Sequence, residues 1–327
     1  MLAEWLVDHL REHGHRTELV YLPYRWHPPH KLLEHAVAAR LTRISEVDRV
    51  IALKFPSWYL PHDNKVFWVL HQFRAAYDLW GSGFQLLPDT PEGQYIRRAI
   101  VEADNRVLRE ARRLYAISQV TARRVRAFNG VEPTVLYPPL GNEQAYRCGA
   151  QGNYVFFPSR INSVKRQGLA IEAMRFVSSD IRLVIAGDAD FRGNDFELVS
   201  RMLTDRKLRD RVELLTGWLP ERRKLDLFAH CLGVLFPPYD EDYGYVTLEG
   251  FRACKPVITC TDSGGPLELV EHGISGFVAD PDPRSIAEAI DQLAADRRHA
   301  ARMGRNGRER IRTLGIDWDH VVEELTT

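Results

Sequence analysis

The hydrophobic pattern differs between the two halves of the chain, and its regular part is the C-terminal half. From residue 153 onward, short β-branched or aromatic runs alternate with amphipathic helical stretches, and each run ends in a turn rich in Gly, Pro, Asp or Ser. This alternation is typical of a parallel sheet covered by helices. The predicted strands are Tyr154–Phe157, Arg182–Ile185, Val212–Leu215, Gly233–Phe236, Pro256–Cys260 and Gly276–Ala279. Six strands suffice for a doubly wound domain, in which ligands bind beyond the carboxyl ends of the strands.

The N-terminal half has a less regular pattern that still predicts a second α/β domain. Its strands are expected at Thr17–Tyr21, Val50–Leu53, Val66–Leu70 and Leu114–Ile117. The first element, Leu2–His13, is an amphipathic helix, whereas a doubly wound unit normally begins with a strand. We therefore expect this domain to be incomplete as written. Either the start of the protein lies upstream of Met1, which we favour, or this variant has lost a strand.

A stretch rich in Pro and Gly separates the two halves. Residues 139–152 have the composition of a linker, and 327 residues are more than one compact core normally holds. The predicted domains are residues 1–138 and residues 153–315. Residues 316–327 form an amphipathic segment, which we predict to be a helix that returns to the N-terminal domain.

Composition and charge exclude several classes of protein. Because 44 Lys and Arg balance 44 Asp and Glu, no overall field favours nucleic acid as a partner. The four cysteines form no Cys-x-x-Cys pair, so neither a zinc site nor a disulfide framework is predicted. No apolar run approaches the roughly 20 residues of a membrane span, and the chain start lacks the features of a signal peptide. We therefore expect a protein of the reducing cytoplasm.

Arginines are concentrated between residues 97 and 126, where nine of them accompany three acidic residues. A run of this kind is usually a solvated helix face. The alternative is that it docks an acceptor or an anionic membrane surface, which would place the protein at the inner face of a membrane.

The clearest chemical pattern follows the predicted strand Gly233–Phe236, in PPYDEDYGYVTLEG. Gly244 precedes a helix predicted to begin near Val246, whose free N–H groups and dipole would attract a phosphate. Glu241 and Glu249 carry carboxylates, which accept hydrogen bonds from the hydroxyl groups of a ribose or a hexose. One loop would thus hold sugar and phosphate together. The simpler alternative is ordinary loop acidity that compensates the helix dipole.

Two basic residues, Arg160 and Lys165, lie in the loop after the first strand of the same domain, in YVFFPSRINSVKRQ. On the strand-end rule this loop opens onto the same crevice as Glu241 and Glu249. The two cations would offset the charge of a diphosphate and stabilise it as it leaves, without a metal ion. As an isolated pair they would more simply be solvated loop charges.

Together these motifs resemble the family 4 glycosyltransferases of GT-B architecture. The resemblance rests on Arg160-x4-Lys165, Glu241-x7-Glu249, the stretch KPVITCTDSGGPLELVEHGISGFV and the segment LYPPL, and it covers residues 114–327. It implies an α/β protein of two facing Rossmann-like domains that transfers a sugar from a nucleotide-diphospho-sugar with retention of configuration. It also implies that Arg160 and Lys165 contact the diphosphate, Glu241 the sugar hydroxyls and Glu249 the ribose.

The sequence departs from the family in two places. Asp242 stands where the family usually has Gly after the first glutamate, which we expect to alter donor preference. The first strand of the family and its Gly-rich loop, which help to form the donor and acceptor site, do not precede the first helix here.

The predicted site includes a few residues besides Arg160, Lys165, Glu241 and Glu249. His71, after the strand Val66–Leu70, is a candidate in the cleft or a structural histidine, and Trp218 either borders the base or packs. The predicted catalytic residues are Arg160, Lys165, Glu241 and His71. The predicted donor-binding residues are Arg160, Lys165, Trp218, Glu241, Tyr243, Gly244, Tyr245 and Glu249. We predict no metal site and no cofactor besides the donor substrate.

The expected activity is metal-independent, retaining transfer of a hexose from a UDP- or GDP-sugar to a hydroxyl of a glycan or lipid-linked acceptor. Two alternatives stay open. One is a nucleotide-sugar epimerase or sugar phosphorylase on the same architecture, and the other is a non-catalytic nucleotide-sugar-binding protein. A dinucleotide oxidoreductase is disfavoured, because no Gly-x-Gly-x-x-Gly motif follows a predicted strand.

Overall fold

The computed structural model describes residues 2–25, 27–188 and 194–327 and divides into two compact units. The N-terminal unit comprises Met1–Gly141 together with Asp317–Thr327, and the C-terminal unit comprises Asn142–Ile316. The division falls inside the stretch proposed as a linker. Residues 142–152 belong to the C-terminal unit, and the last helix belongs to the N-terminal one.

Both units combine one parallel sheet with helices. The strands are β1 (Val50–Ala52), β2 (Lys65–Val69), β3 (Arg113–Ala116), β4 (Thr134–Val135), β5 (Tyr154–Pro158), β6 (Arg182–Ala186), β7 (Val212–Leu215), β8 (Gly233–Leu235), β9 (Val257–Cys260) and β10 (Gly276–Ala279). The helices are α1 (Leu2–Glu12), α2 (Lys31–Leu41), α3 (Pro91–Val107), α4 (Gln119–Asn129), α5 (Gln167–Ala173), α6 (Asp195–Met202), α7 (Arg206–Arg209), α8 (Glu221–His230), α9 (Tyr245–Arg252), α10 (Pro266–Leu269), α11 (Pro283–Ala295), α12 (Arg297–Thr313) and α13 (Trp318–Thr326).

The C-terminal sheet has the strand order β10-β9-β8-β5-β6-β7, with every pair parallel. From β5 the chain winds outward through β6 and β7, and it then returns to the other side of β5 for β8, β9 and β10. The order therefore reverses between β5 and β8, and ligands of doubly wound domains bind beyond the strand ends at such a reversal. All six strands predicted for this unit agree with the observed bounds to within one residue.

The N-terminal sheet has the order β1-β2-β3-β4, and its pairs are also parallel. All five residues of β2 are buried, as expected for a strand covered on both faces. Three of the four strands predicted here are confirmed to within one residue at each end.

The strand prediction at Thr17–Tyr21 is wrong. These residues are not in a strand, and Val20 and Tyr21 are 51% and 71% exposed. A strand needs a hydrogen-bonding neighbour, and among the described residues the sheet ends at β1, which pairs with β2 alone. The β-forming composition of this stretch is therefore not sufficient to make it a strand.

The cysteine pattern, which predicted no disulfide framework, did not reveal one disulfide: Cys148 and Cys254 are bonded with their Cα atoms 5.2 Å apart. The two residues are separated by 106 positions, so no short spacing could indicate the pair. Cys254 is the second residue after α9, and Cys148 belongs to the segment that opens the C-terminal unit.

Helix α13 packs within the N-terminal unit. The indole Nε1 of Trp318 donates to the carbonyl of Leu140 at 3.0 Å, and its ring stacks on His9 with 4.5 Å between ring centres. Arg49 donates to the carbonyl of Leu325 at 2.7 Å. The last segment of the chain thus contributes to the core of the unit in which the chain begins.

Candidate functional site

Three loops converge at the switch point of the C-terminal sheet, after β5, β8 and β9. Their backbones are joined directly: the N–H of Tyr239 donates to the carbonyl of Val164 at 2.7 Å, and the N–H of Glu241 donates to the carbonyl of Ser263 at 2.9 Å. The N–H of Asp240 donates to the carbonyl of Asp262 at 2.9 Å. Because backbone hydrogen bonds hold the loops together, the side chains they carry have fixed starting points.

Lys165 and Glu241 form an ion pair at this edge, through Lys165 Nζ and Glu241 Oε2. Their side chains are 15% and 21% exposed, so the pair remains reachable from solvent. The side chain of Asn162 caps the short turn Ser163–Lys165 by accepting from the N–H of Lys165 at 3.0 Å. Lys165 also lies 5.4 Å from the centre of the Phe236 ring. The structure thus brings together a cation and a carboxylate that were predicted from separate loops.

Arg160 and Arg166 both follow β5 but differ in the contacts of their side chains. The backbone carbonyl of Arg160 accepts from Gln167 at 2.8 Å, while its exposed side chain has no hydrogen bond or ion pair with the described residues. Arg166 makes a two-pronged ion pair with Asp262, at 2.8 and 2.5 Å, and its guanidinium lies 5.1 Å from the centre of the Tyr239 ring. Sequence reasoning missed the Arg166–Asp262 pair. The available signal was an acidic residue two positions after the end of β9.

Glu249 is nearly buried in α9, 8% exposed, yet it is paired with a cation. Its Oε1 accepts from Lys224 Nζ at 2.5 Å and from the hydroxyl of Tyr146 at 2.8 Å. The described residues offer no donor to Oε2. Burial, reinforced by the charge of Glu249, raises the pKa of Tyr146 above its usual range, so this phenol stays a donor. Sequence reasoning identified Glu249 but neither of its partners.

Gly244 is the N-cap of α9 and has a φ of 91°. A Cβ at this position would lie 2.8 Å from Pro266 Cγ, so both its conformation and its surroundings favour glycine. Tyr243, 2% exposed, and Tyr245 flank it with their rings edge-on, 5.2 Å between centres. Tyr243 therefore contributes to packing below the loop, and the predicted contacts of Tyr243, Gly244 and Tyr245 with a donor stay predictions.

Trp218 lies in the same unit as these residues, whereas His71 lies in the other unit. Trp218 follows β7, the edge strand two positions from β5, and it is 84% exposed. His71 belongs to the N-terminal unit, where its Nδ1 donates to the carbonyl of Gln72 at 2.6 Å. The roles predicted for Trp218 and His71 remain predictions.

The arginines between residues 97 and 126 are partly used inside the N-terminal unit. Arg97 donates to the carbonyl of Ala76 at 3.0 Å, Arg126 pairs with Glu132, and Arg124 lies 3.7 Å from Asp78. Among residues 2–25, 27–188 and 194–327, no group of three or more His, Cys, Asp or Glu side chains is arranged to hold a metal ion. No described helix is both long enough and apolar enough to cross a membrane.

The sequence of the C-terminal unit is similar to that of a known protein family. The family model described as "Glycosyl transferases group 1" matches residues 143–310. Human alpha-1,3/1,6-mannosyltransferase ALG2 is 30% identical over 209 residues, 57% of this chain and 50% of ALG2. O-antigen chain mannosyltransferase C of Escherichia coli is 32% identical over 113 residues, 34% of this chain and 30% of that protein. The chain thus spans about half the length of the human relative.

The fold is shared with solved structures of low sequence identity. HepE of Anabaena, solved in complex with UDP-glucose, superposes with a TM-score of 0.71 over 97% of this chain and 86% of HepE, at 21% identity. This chain has two parallel sheets. Together with the structural likeness, they confirm the predicted α/β fold of GT-B class.

Proposed function

Because this chain belongs to the glycosyl transferases group 1 family, we propose that it transfers a hexose from a nucleotide-diphospho-sugar to a hydroxyl of a glycan or lipid-linked acceptor, with retention of configuration. The donor would bind to the C-terminal unit at the ends of β5 and β8. Mannose is the first hexose to test, since two relatives are named mannosyltransferases. Both UDP and GDP stay candidates for the nucleotide.

The observation that carries the proposal is the Lys165–Glu241 pair at the switch point. Without a donor, the ammonium and the carboxylate neutralise each other. A diphosphate entering the crevice can replace Glu241 as the partner of Lys165, and Glu241 is then available to accept from sugar hydroxyls. The exposed guanidinium of Arg160, which has no partner among the described residues, supplies a second positive charge nearby in sequence.

Glu249 suits a different part of the same donor. Lys224 and Tyr146 both bind Oε1, which fixes the direction of the carboxylate. Oε2 then remains for hydrogen bonds from a ribose diol. In this proposal Glu241 and Glu249 bind hydroxyl groups and Lys165 and Arg160 bind phosphates, which would match the alternation of these groups along a nucleotide-diphospho-sugar.

In the proposed reaction, the acceptor hydroxyl attacks the anomeric carbon from the face that the diphosphate leaves. An oxygen of the departing diphosphate takes the hydroxyl proton, so no protein carboxylate serves as nucleophile. Lys165 and Arg160 stabilise the negative charge that develops on the leaving group, which accelerates the step without a metal ion. His71 is retained as a catalytic candidate from the N-terminal unit. A separate proposal is that the arginines between residues 97 and 126 bind an anionic membrane surface, at which the enzyme would encounter its acceptor.

The proposal is tested by titrating GDP-mannose, UDP-glucose and related donors by calorimetry, followed by a transfer assay with the donor that binds. Lys165→Ala should weaken donor binding about tenfold or more, as expected for loss of a charge-assisted contact. Lys207→Ala, an exposed lysine of α7, is the matched control and should bind like the wild type. Robust donor binding with neither transfer nor donor hydrolysis would instead indicate a binding protein. Epimerised sugar or phosphate-dependent glycan breakdown would indicate the other enzymes.

A further inference from the structure

Residues 142–149, here called the clamp segment, are attached at four points to α9 and the three residues that follow it. Glu143 forms an ion pair with Arg252, and the hydroxyl of Tyr146 donates to Glu249 Oε1 at 2.8 Å. Cys148 is joined to Cys254 by the disulfide. Finally, the carbonyl of Gly149 accepts from the buried Lys255 Nζ at 3.0 Å. The clamp segment thus runs along the helix that carries Glu249.

The disulfide is the covalent member of these four attachments, and it lies close to the functional contact. Tyr146 is two residues before Cys148, and Glu249 is five residues before Cys254. Cys254 adopts a left-handed conformation, with φ 56°, at the end of α9, where glycine is the usual residue. The chain therefore holds a cysteine here at a conformational cost.

The two sulfur atoms are placed for exchange with thiols in solution. Cys148 is exposed and Cys254 is half-buried. Arg308 Nη1 lies 3.3 Å from the sulfur of Cys148 and 3.7 Å from that of Cys254, and a positive charge at this distance stabilises a thiolate. The other two cysteines, Cys231 and Cys260, are fully buried, and burial raises the pKa of each thiol to about 12. They are thereby kept protonated and out of reach.

We propose that Cys148 and Cys254 form a thiol–disulfide exchange site whose oxidation state sets how firmly Tyr146 holds Glu249. The proposal rests on the proposed function in one respect, namely that Glu249 contacts the donor. With the disulfide formed, the clamp segment is fixed and Tyr146 orients the carboxylate. With the disulfide reduced, the segment keeps its three non-covalent attachments but samples more conformations, so Glu249 is less well ordered for the donor.

The exchange reaction balances with an ordinary disulfide as oxidant, such as oxidised glutathione. The thiolate of Cys148 attacks one sulfur of the oxidant, forms a mixed disulfide and releases one glutathione thiolate. The thiolate of Cys254 then attacks the sulfur of Cys148 and releases the second. Two electrons pass from the protein thiols to the oxidant, and their two protons pass through solvent to the released thiolates. A dithiol such as dithiothreitol reverses both steps.

The experiment compares the 327-residue chain treated with oxidised glutathione and with dithiothreitol. Mass spectrometry of the peptides that contain Cys148 and Cys254 verifies each state, and hydrogen–deuterium exchange of residues 142–149 reports the order of the clamp segment. Calorimetry with UDP-glucose and GDP-mannose reports donor affinity. Reduction should speed exchange in the clamp segment and weaken donor binding about three- to tenfold, the range for one ordinary hydrogen bond.

Two variants sharpen the result. Cys148→Ser should show the fast exchange and weaker affinity of the reduced protein under both conditions. Cys231→Ala removes a buried thiol but keeps the pair, so it should retain the full response. Failure of the oxidised protein to form the Cys148–Cys254 link, or equal exchange of residues 142–149 in both states, would overturn the proposal. If exchange responds and neither donor binds in either state, the exchange site stands and the proposed function fails for those donors.

Discussion

Two carboxylates removed from solvent, one in each unit, are satisfied in opposite ways. Asp104 of α3 is completely buried and accepts from Trp58 Nε1 at 2.9 Å and from the hydroxyls of Tyr59 and Tyr77, each at 2.6 Å. All three donors are neutral groups of the N-terminal core. Glu249 is held on one oxygen by a cation and a phenol, and its second oxygen has no donor among the described residues.

The difference separates a structural carboxylate from a candidate ligand-binding one. Burial raises the pKa of Asp104, and the three hydrogen bonds only partly oppose that shift. The three hydrogen bonds show that Asp104 accepts from, and ties together, an aromatic cluster. Glu249 is instead paired with the cation Lys224 and has low exposure. One of its two carboxylate oxygens has no donor among the described residues. A buried charge with an incomplete set of donors is the arrangement expected where a ligand completes it.

The largest expected effect is on stability, at Asp104. Asp104→Ala would leave three buried donors without an acceptor, and we expect it to lower the free energy of unfolding by about 3–5 kcal/mol. Urea denaturation followed by tryptophan fluorescence measures this loss. Glu102→Ala, an exposed change on the same helix, is the control and should cost little. A loss below about 1 kcal/mol, the value of one ordinary hydrogen bond, would contradict a structural role for Asp104.

The second effect is on binding, at Glu249. Glu249→Gln keeps the shape of the side chain but removes its charge and leaves Lys224 without a counter-ion. We expect donor affinity to fall about 10- to 100-fold, since hydrogen bonds to charged groups are roughly twice as strong as neutral ones. Calorimetry with the donor that binds best measures the change. Glu288→Gln, an exposed change on α11, should leave affinity unaltered. Wild-type affinity in Glu249→Gln would remove this residue from the site.

The third effect is the pH dependence that Asp104 imposes on stability. Because its pKa is raised in the folded state, the folded protein retains a proton that the unfolded chain loses, so the contribution of Asp104 to stability is full below the ordinary value of 3.8. That contribution falls as the pH rises from 3.8 through the folded pKa. The difference in unfolding free energy between wild type and Asp104→Asn should therefore shrink from pH 5 to pH 8. A difference that grows with pH would show that the folded pKa is lowered instead.

The sequence predicted a feature well where the residues that form it are close together along the chain, and poorly where its contacts come from distant residues. Buried strands such as β2 and β9 show as short apolar runs, and the strand-end rule then led to Lys165, Glu241 and Glu249 without knowledge of their contacts. Tyr146 and Lys224 were missed because they lie 103 and 25 residues from Glu249.

The same dependence on distant partners explains the other errors. Thr17–Tyr21 has the composition of a strand, but pairing requires a neighbour that the described sheet does not provide. Asp104 looked like one of three acidic residues in an arginine-rich stretch, since the tyrosines that enclose it precede it by 45 and 27 residues. Side chains whose environment comes from remote segments are the ones that a pattern along the chain leaves ambiguous.

The smallest expected effect is on donor affinity, at Tyr146. It is the most specific test of the difference between Glu249 and Asp104. If the phenol orients Glu249, Tyr146→Phe should weaken donor binding about two- to tenfold, the value of one ordinary hydrogen bond, because the phenol acts on the donor only through Glu249. Tyr154→Phe is the matched control, because it removes a hydroxyl of the same unit that donates to the carbonyl of Leu227 at 2.9 Å. Both variants should lose similar stability, and only Tyr146→Phe should lose affinity. Equal donor affinities in the two variants would mean that Lys224 alone orients Glu249 and that Tyr146, like the donors around Asp104, serves packing.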